Sequence, residues 1–178
     1  MTLDQALYCL MLKSANDVAV LIAEHISGSV EAFTELMNSE AKMLGATNSH
    51  FVNPNGLTDP DHYTTVYDLY LICNEAIKYD KFVQVIQTSS YNSTYYDKNG
   101  KEKAISLSTT NAYLKGEAFA PSGVTVIGGK TGTTNAAGSC LLLYSKDTNG
   151  NGYISIVMKS SDRTTLYKEM TEILQEIS

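Results

Sequence analysis

The first half of the chain follows a helical pattern of hydrophobic and polar positions. Leu3, Leu7, Leu10 and Met11 recur at helix spacing, and Thr2 followed by Gln5 is typical of a capping box. The same pattern, with Ser29 as a cap and Gly28 and Gly45 as stops, predicts five helices in this half. Their predicted bounds are residues 2–13, 16–26, 30–44, 65–77 and 82–87.

Residues 46–64 interrupt the helices without a periodic pattern of their own. They contain Asn53-Pro54-Asn55-Gly56 and Asp59-Pro60-Asp61, which are typical of successive turns. The segment is therefore predicted to be a long, ordered loop, and loops of this length often carry function.

After Ser89 the hydrophobic period changes from the helical repeat to two. Residues 91–96 and 103–107 flank the turn Asp97-Lys98-Asn99-Gly100 and predict a hairpin. Further strands are predicted at 124–130, 139–145 and 153–158, followed by a closing helix at 164–177. Helices first, strands with short connections second and a last helix predict an α+β fold, an antiparallel sheet with a helical cluster. Without repeats or a low-complexity linker, residues 1–178 are predicted to form one domain.

The composition and charge of the chain exclude some classes of binding partner. The 178 residues are 43% hydrophobic and carry a formal charge of -6 with scattered positive residues, which argues against nucleic acid and anionic membranes. The longest apolar runs are too short to span a membrane, and we expect no targeting segment within the chain. Cys9, Cys73 and Cys140 match no paired spacing and are interpreted as small core residues.

Several segments imitate known sites but lack an essential part. Residues 128–134 suggest a phosphate-binding P-loop, yet Val124 stands where that motif needs glycine. Residues 147–152 copy half of a calcium loop, but Met158 replaces its glutamate, so a hairpin turn is the better interpretation. Ser39-Glu40-Ala41-Lys42 is an S-x-x-K sequence in an amphipathic helix, where a solvated face is expected. The histidines have no i,i+4 partner, so we expect no metal site.

Two short motifs gain meaning from their combination. Ser14-Ala15-Asn16 alone is weak, because Ser14 is equally well explained as a helix N-cap. Lys130-Thr131-Gly132 alone is also weak. In this order, 116 residues apart, S-x-N and K-T-G are two of the three motifs of the penicillin-recognising serine acyl-transferases.

The wider sequence around these motifs resembles the serine-type D-alanyl-D-alanine carboxypeptidases, the low-molecular-mass penicillin-binding proteins. The resemblance extends over residues 10–17 with 23–28, residues 50–57 with 62–69, and residues 110–111 with 126–138. It therefore covers nearly the whole chain and implies a β-lactamase/transpeptidase-like fold. The implied substrate is a peptidoglycan stem peptide ending in D-Ala-D-Ala, with β-lactam antibiotics bound by the intact protein and no cofactor.

The resemblance also implies roles for individual side chains. Ser14 is expected to relay a proton to the departing amine, and Asn16 to bind the substrate amide and orient the catalytic lysine. Lys130 is expected to supply a positive charge that favours an anionic substrate and stabilises Ser14 during the proton relay.

The remaining site residues are implied to bind the substrate. Thr131 is expected to offer its hydroxyl to the terminal carboxylate, and the Thr133 N–H to form half of an oxyanion hole. Gly132 is explained by close approach of the substrate to the strand. Arg163 either helps to bind the carboxylate or has a surface role, and the sequence leaves both open.

One part of the family pattern has no counterpart in the chain. The family's S-x-x-K nucleophile segment lies some tens of residues before S-x-N, whereas only 13 residues precede Ser14. We therefore expect that the N-terminal part of the domain is missing, that the chain alone is inactive, and that the exposed surface favours a homodimer. A class A β-lactamase-like hydrolase and a non-catalytic fragment that binds stem peptides or β-lactams remain alternatives. The family alone implies an extracytoplasmic location.

Overall fold

The computed structural model describes residues 1–177 and places the helices before the strands, apart from one short helix and the last one. The α+β prediction is therefore confirmed. The helices are α1 (Leu3–Lys13), α2 (Asn16–Ser27), α3 (Val30–Met43), α4 (Val66–Ala76), α5 (Asp80–Ile86), α6 (Ala112–Lys115) and α7 (Arg163–Gln175). The strands are β1 (Ser90–Tyr96), β2 (Glu102–Ser108), β3 (Thr125–Thr134), β4 (Gly138–Lys146) and β5 (Gly152–Ser160).

The predicted helix ends are confirmed by their capping contacts. At the start of α1, the Gln5 N–H donates to the Thr2 hydroxyl at 3.2 Å and the Thr2 N–H donates to the Gln5 side chain at 3.0 Å. Helix α2 ends at Gly28 with φ 81°, a conformation that glycine adopts without a Cβ penalty. Ser29 then accepts the Ala32 N–H and begins α3. Local hydrogen bonds thus fix the turns of the helical cluster.

The five strands form two separate antiparallel sheets rather than one. Strands β3, β4 and β5 pair in that order, and β1 pairs only with β2. Helix α7 packs on the larger sheet through a core of buried side chains. These are Val124, Leu141, Leu143, Leu166, Met170 and Leu174.

A second core joins α1 and α2 to the β1–β2 hairpin. Ala6, Cys9, Val18, Ile22 and Ile105 are buried together. The Tyr8 and Tyr91 rings stack with centroids 4.0 Å apart, which adds to the contact between α1 and β1. The hairpin is therefore held by the helices and not by the larger sheet.

Three expectations from the sequence need correction. Strand β3 runs to Thr134 instead of ending at Lys130, so the K-T-G residues lie within a strand. Helix α6 was not predicted, because four residues are too few for a periodic signal. Cys140 is only half-buried, whereas Cys9 and Cys73 are buried as expected.

Candidate active site

Ser14 lies at the junction of α1 and α2 in a left-handed backbone conformation, with φ 54°. It follows the last residue of α1, and its N–H donates to the Leu10 carbonyl at 2.9 Å. The alternative interpretation of Ser14 as the N-cap of α2 is wrong, because Ala15 occupies that position without a side-chain cap. A serine with positive φ costs about 1 kcal/mol or more, and such strain is frequent at functional sites. The junction leaves the Ser14 side chain exposed.

The Lys130 side chain extends from β3 to the junction of α1 and α2. Its ammonium donates a hydrogen bond to the Ser14 hydroxyl and another to the Thr131 carbonyl, the second at 2.6 Å. Burial lowers the pKa of Lys130 to about 8, because the charged form loses water on transfer into the protein. The S-x-N and K-T-G motifs therefore meet through a direct contact.

A cavity of about 500 Å³ surrounds this contact. Its walls include Asn16, Thr131, Gly132 and Thr133 beside Ser14 and Lys130, and residues of the 46–64 loop close the opposite side. The Thr131 hydroxyl lies 2.6 Å from the hydroxyl of Thr110, a residue that the sequence had not assigned to the site. The only signal for Thr110 was the Thr110-Asn111 segment within the wider resemblance.

Arg163 borders a second cavity of about 540 Å³, which is lined also by Ser14, Thr131 and Thr133. Its guanidinium donates to the Thr110 carbonyl at 3.4 and 3.5 Å and to the Glu117 carboxylate at 3.2 Å. All seven predicted site residues thus lie around two cavities that share the K-T-G strand. Arg163 is also more than half exposed, so its ion pair with Glu117 is accessible to water.

Two polar side chains that the sequence did not single out hold the 46–64 loop in place. The Asn38 side chain exchanges two hydrogen bonds with the Phe51 backbone, at 2.7 and 2.8 Å. Asp68 is fully buried, and one carboxylate oxygen accepts the Asn48 N–H at 2.8 Å and the Ser49 hydroxyl at 2.7 Å. These contacts fix the loop that forms one wall of the cavity.

We expect the Asp68→Ala variant to lose about 2–3 kcal/mol of unfolding free energy, since the buried acceptor of two hydrogen bonds is removed and their donors lose a partner. Chemical denaturation of the purified chain measures this. Glu172→Ala, which removes an exposed carboxylate from α7, is the matched control and should stay within about 0.5 kcal/mol of the parent. Equal stability of the two variants would show that Asp68 does not anchor the loop.

The segments that imitate other sites take the structural roles expected of them. Residues 128–134 lie in β3, whereas a P-loop needs a loop followed by a helix. Asp147 accepts the Asn149 and Asn151 N–H groups at 2.8 Å and forms a turn. Ser39 and Lys42 are exposed on α3.

The histidines are held by hydrogen bonds or exposed. The His50 ring lies 2.6 Å from the Asp61 carbonyl, His62 accepts the Val52 N–H at 3.2 Å, and His25 is exposed on α2. Within residues 1–177, no three His, Cys, Asp or Glu side chains are grouped closely enough to bind a metal ion. No helix in the same range combines the length and apolar character needed to cross a membrane.

The sequence of this chain is similar to those of known proteins. The family model described as D-alanyl-D-alanine carboxypeptidase matches residues 1–162. The D-alanyl-D-alanine carboxypeptidase DacF of Bacillus subtilis is 35% identical over 98% of this chain and 42% of its own length. A D-alanyl-D-alanine carboxypeptidase of Streptomyces is 31% identical over 97% of this chain and 60% of its own length. The chain therefore spans about half the length of these curated relatives.

Solved structures agree with the sequence comparisons. The crystal structure of a Streptomyces DD-transpeptidase superposes with a TM-score of 0.87 at 28% identity, covering 99% of this chain and 67% of the other. A D-alanyl-D-alanine carboxypeptidase from Mycobacterium tuberculosis gives a TM-score of 0.81, also at 28% identity, over 98% and 63% of the two chains. The transpeptidase-like fold expected from the motifs is thereby confirmed, and the chain belongs to the D-alanyl-D-alanine carboxypeptidase family.

Proposed function

We propose that this chain forms part of a serine-type D-alanyl-D-alanine carboxypeptidase that acts on peptidoglycan stem peptides through an acyl-enzyme. The observation that carries the proposal is the contact between Lys130 and Ser14 beside the edge strand β3. A cation, a hydroxyl and an unpaired strand edge at one cavity suit an extended peptide with a terminal carboxylate.

The reaction proceeds in two steps. A serine oxygen attacks the carbonyl carbon of the penultimate D-alanine, the C–N bond breaks, and D-alanine leaves after its amine receives a proton. Water then attacks the ester and restores the serine. Ser14 relays the proton to the departing amine, and Asn16 binds the substrate amide and orients the lysine of the nucleophile segment.

The K-T-G strand binds the carboxylate and the developing oxyanion. The Thr110 and Thr131 hydroxyl oxygens lie 2.6 Å apart, and either can be the donor. We propose that Thr110 donates when substrate is bound, which leaves the Thr131 hydrogen for the terminal carboxylate. Arg163 adds a positive charge at the same end of the strand. The Thr133 N–H donates to the oxyanion, and Gly132 allows the substrate backbone to approach the strand.

The nucleophile is proposed to belong to an S-x-x-K segment outside these 178 residues. Ser39-Glu40-Ala41-Lys42 lies on an exposed part of α3, and its serine and lysine do not line the cavity around Lys130. Loss of the nucleophile from a serine hydrolase costs about a millionfold in turnover. The chain alone is therefore proposed to be inactive.

Intact-protein mass spectrometry after incubation with benzylpenicillin tests this proposal. A covalent penicilloyl adduct is expected on the chain preceded by an S-x-x-K segment, for example that of the Bacillus subtilis relative, and not on the 178 residues alone. The control carries the same segment with its serine replaced by alanine. An adduct on the short chain would contradict the proposal and assign the nucleophile to a serine within it.

The two alternatives differ from the carboxypeptidase in the fate of a bound β-lactam or peptide. A β-lactamase-like hydrolase releases the penicilloyl group rapidly, whereas a carboxypeptidase retains the adduct and releases D-alanine from acyl-D-Ala-D-Ala peptides. A non-catalytic fragment binds such peptides without cleavage. The family match favours the carboxypeptidase over the β-lactamase.

We further propose an extracytoplasmic location, where peptidoglycan is found, and self-association of the chain in solution. An apolar groove between α1 and α2 supports the proposed self-association, because Leu3 and Leu21 are about half exposed there. Light scattering during gel filtration measures the mass, and a monomer at all concentrations would contradict the dimer.

A further inference from the structure

Arg163 is the only arginine in the 178 residues, and its guanidinium is held at the border of the cavity of about 540 Å³. Nη1 and Nη2 donate to the Thr110 carbonyl at 3.4 and 3.5 Å. The central carbon of the guanidinium lies 5.2 Å from the centre of the Tyr167 ring, a cation–π distance. The Thr110 hydroxyl in turn lies 2.6 Å from that of Thr131. Thr110 thus contacts both the guanidinium and the residue proposed to bind the substrate carboxylate.

Glu117 contacts the same guanidinium from another side. One of its carboxylate oxygens accepts a hydrogen bond from Arg163 Nη2 at 3.2 Å, and the other pairs with the Lys115 ammonium. The hydrogen bond from Lys115 and the charges of the two cations lower the pKa of Glu117, so its carboxylate is ionised at neutral pH. Among residues 1–177, those that line the cavity include Arg163 but not Glu117. Glu117 therefore reaches the guanidinium from outside the cavity.

The backbone of Glu117 is fixed by the C-terminal turn of α6. Gly116 has φ 72°, and its N–H donates to the Tyr113 carbonyl at 3.2 Å. The Glu117 N–H donates to the Ala112 carbonyl at 2.9 Å, and these are the two hydrogen bonds of a Schellman motif. The Ala112 N–H donates to the Tyr167 hydroxyl at 2.8 Å, which joins α6 to α7. Backbone hydrogen bonds therefore set the position of Glu117 beside α7.

The ion pair between Glu117 and Arg163 can open without leaving either charge alone. Lys115 then keeps its contact with the Glu117 carboxylate, and the Thr110 carbonyl keeps its contact with the guanidinium. Both side chains of the pair are about half exposed, so water can replace the broken contact. Because an ion pair at this exposure contributes little stability, a ligand carboxylate can exchange with that of Glu117.

We propose that Glu117 is an internal counter-ion that competes with a ligand carboxylate for Arg163. In the free chain Arg163 Nη2 donates to Glu117, and in the complex this donor turns to the ligand carboxylate beside Thr131. Glu117 acts through Arg163 and weakens the binding of ligands that end in a carboxylate, whereas neutral ligands are unaffected. The inference rests on the proposed function for the place of the carboxylate.

Equilibrium binding of two probes to the 178-residue chain tests the competition. The probes are N-acetyl-D-Ala-D-Ala and its C-terminal amide, which differ only in the terminal carboxylate, and both are titrated by calorimetry. Glu117→Gln should bind the acid about twofold to fivefold more tightly than the parent, because loss of an exposed ion pair frees the guanidinium. The amide should bind the two chains equally. Structural damage would instead weaken the binding of both probes.

Two further variants separate the exchange from a general loss of negative charge. Glu172→Gln removes the same charge from an exposed position of α7 and should leave both affinities at the parent values. Arg163→Gln removes the shared partner, so Glu117→Gln should no longer strengthen binding of the acid in that background. A gain that persists without Arg163 would overturn the proposal, and so would equal or weaker binding of the acid by Glu117→Gln.

The single arginine allows a second measurement that needs no peptide. Phenylglyoxal reacts selectively with guanidinium groups, so intact-protein mass spectrometry follows the modification of Arg163, with Arg163→Gln as the blank. Glu117→Gln should be modified about twofold to fivefold faster than the parent, since its guanidinium has lost the counter-ion. An unchanged rate would contradict the proposal. Failure of the proposed function has a different signature, namely no penicilloyl adduct on the chain that carries an S-x-x-K segment.

Discussion

Replacing Lys130 by methionine is expected to lower the rate of acylation by benzylpenicillin about a hundredfold to a thousandfold in a chain that carries the S-x-x-K segment. Lys130 donates to the Ser14 hydroxyl and is the charged group of the K-T-G strand. Methionine keeps the length and the apolar stem but removes both the donor and the charge. The rate of adduct formation, followed by mass spectrometry, measures the effect.

Two further variants separate charge from side-chain shape. Lys168→Met removes an exposed lysine from α7 and should acylate at the parent rate. Lys130→Arg keeps the charge but replaces a compact ammonium with a planar fork, so it should recover only part of the rate. A Lys130→Met variant within twofold of the parent would show that the Ser14 contact is not used in acylation.

The lowered pKa of Lys130 adds a pH dependence with a defined direction. The ammonium is present below pH about 8 and lost above it, so acylation by an anionic β-lactam should fall as the pH rises through about 8. The free energy of unfolding has the opposite pH dependence, because burial in the folded state disfavours the charged form of Lys130. The free energy of unfolding should therefore rise between pH 8 and about 10.4, the ordinary value for lysine. Lys130→Met should remove this rise.

Much of the fold was predictable because its signals are local. The Thr2 capping box, Gly28 and Ser29 mark helix ends through contacts between neighbours in sequence, and the structure confirms them. The division of the strands into two sheets had no such signal, since strand pairing joins residues far apart. The extension of β3 to Thr134 was also missed, because glycine and threonine do not alternate with hydrophobic residues there.

The candidate site was predictable only where residue type and spacing are distinctive. S-x-N and K-T-G indicated Ser14 and Lys130, although their contact depends on the fold. Asp68 lay within the resembling segment 62–69 but carried no signal of its own, because a single acidic residue in the first turn of a helix is usually a solvated end.

The Gly129→Ala variant is expected to lose about 3 kcal/mol of unfolding free energy. A Cβ at this position would lie 2.1 Å from the Leu142 carbonyl oxygen and 2.9 Å from a Leu143 methyl group. The first contact is with backbone of the neighbouring strand, which cannot rotate away, so β3 and β4 must separate locally. For a chain of this size the loss corresponds to a fall in melting temperature of about 6–12 °C, measured by thermal denaturation.

Gly132→Ala provides the matched variant in the same strand. No atom lies within 4 Å of the Cβ that it would add, so its melting temperature should stay within about 2 °C of the parent. The new methyl group would instead occupy the space in which we propose that the substrate approaches β3, and acylation should fall about tenfold. A stable Gly132→Ala variant with the parent rate would contradict that approach. Loss of stability in both variants would mean that the whole strand, rather than the contact at Gly129, excludes side chains.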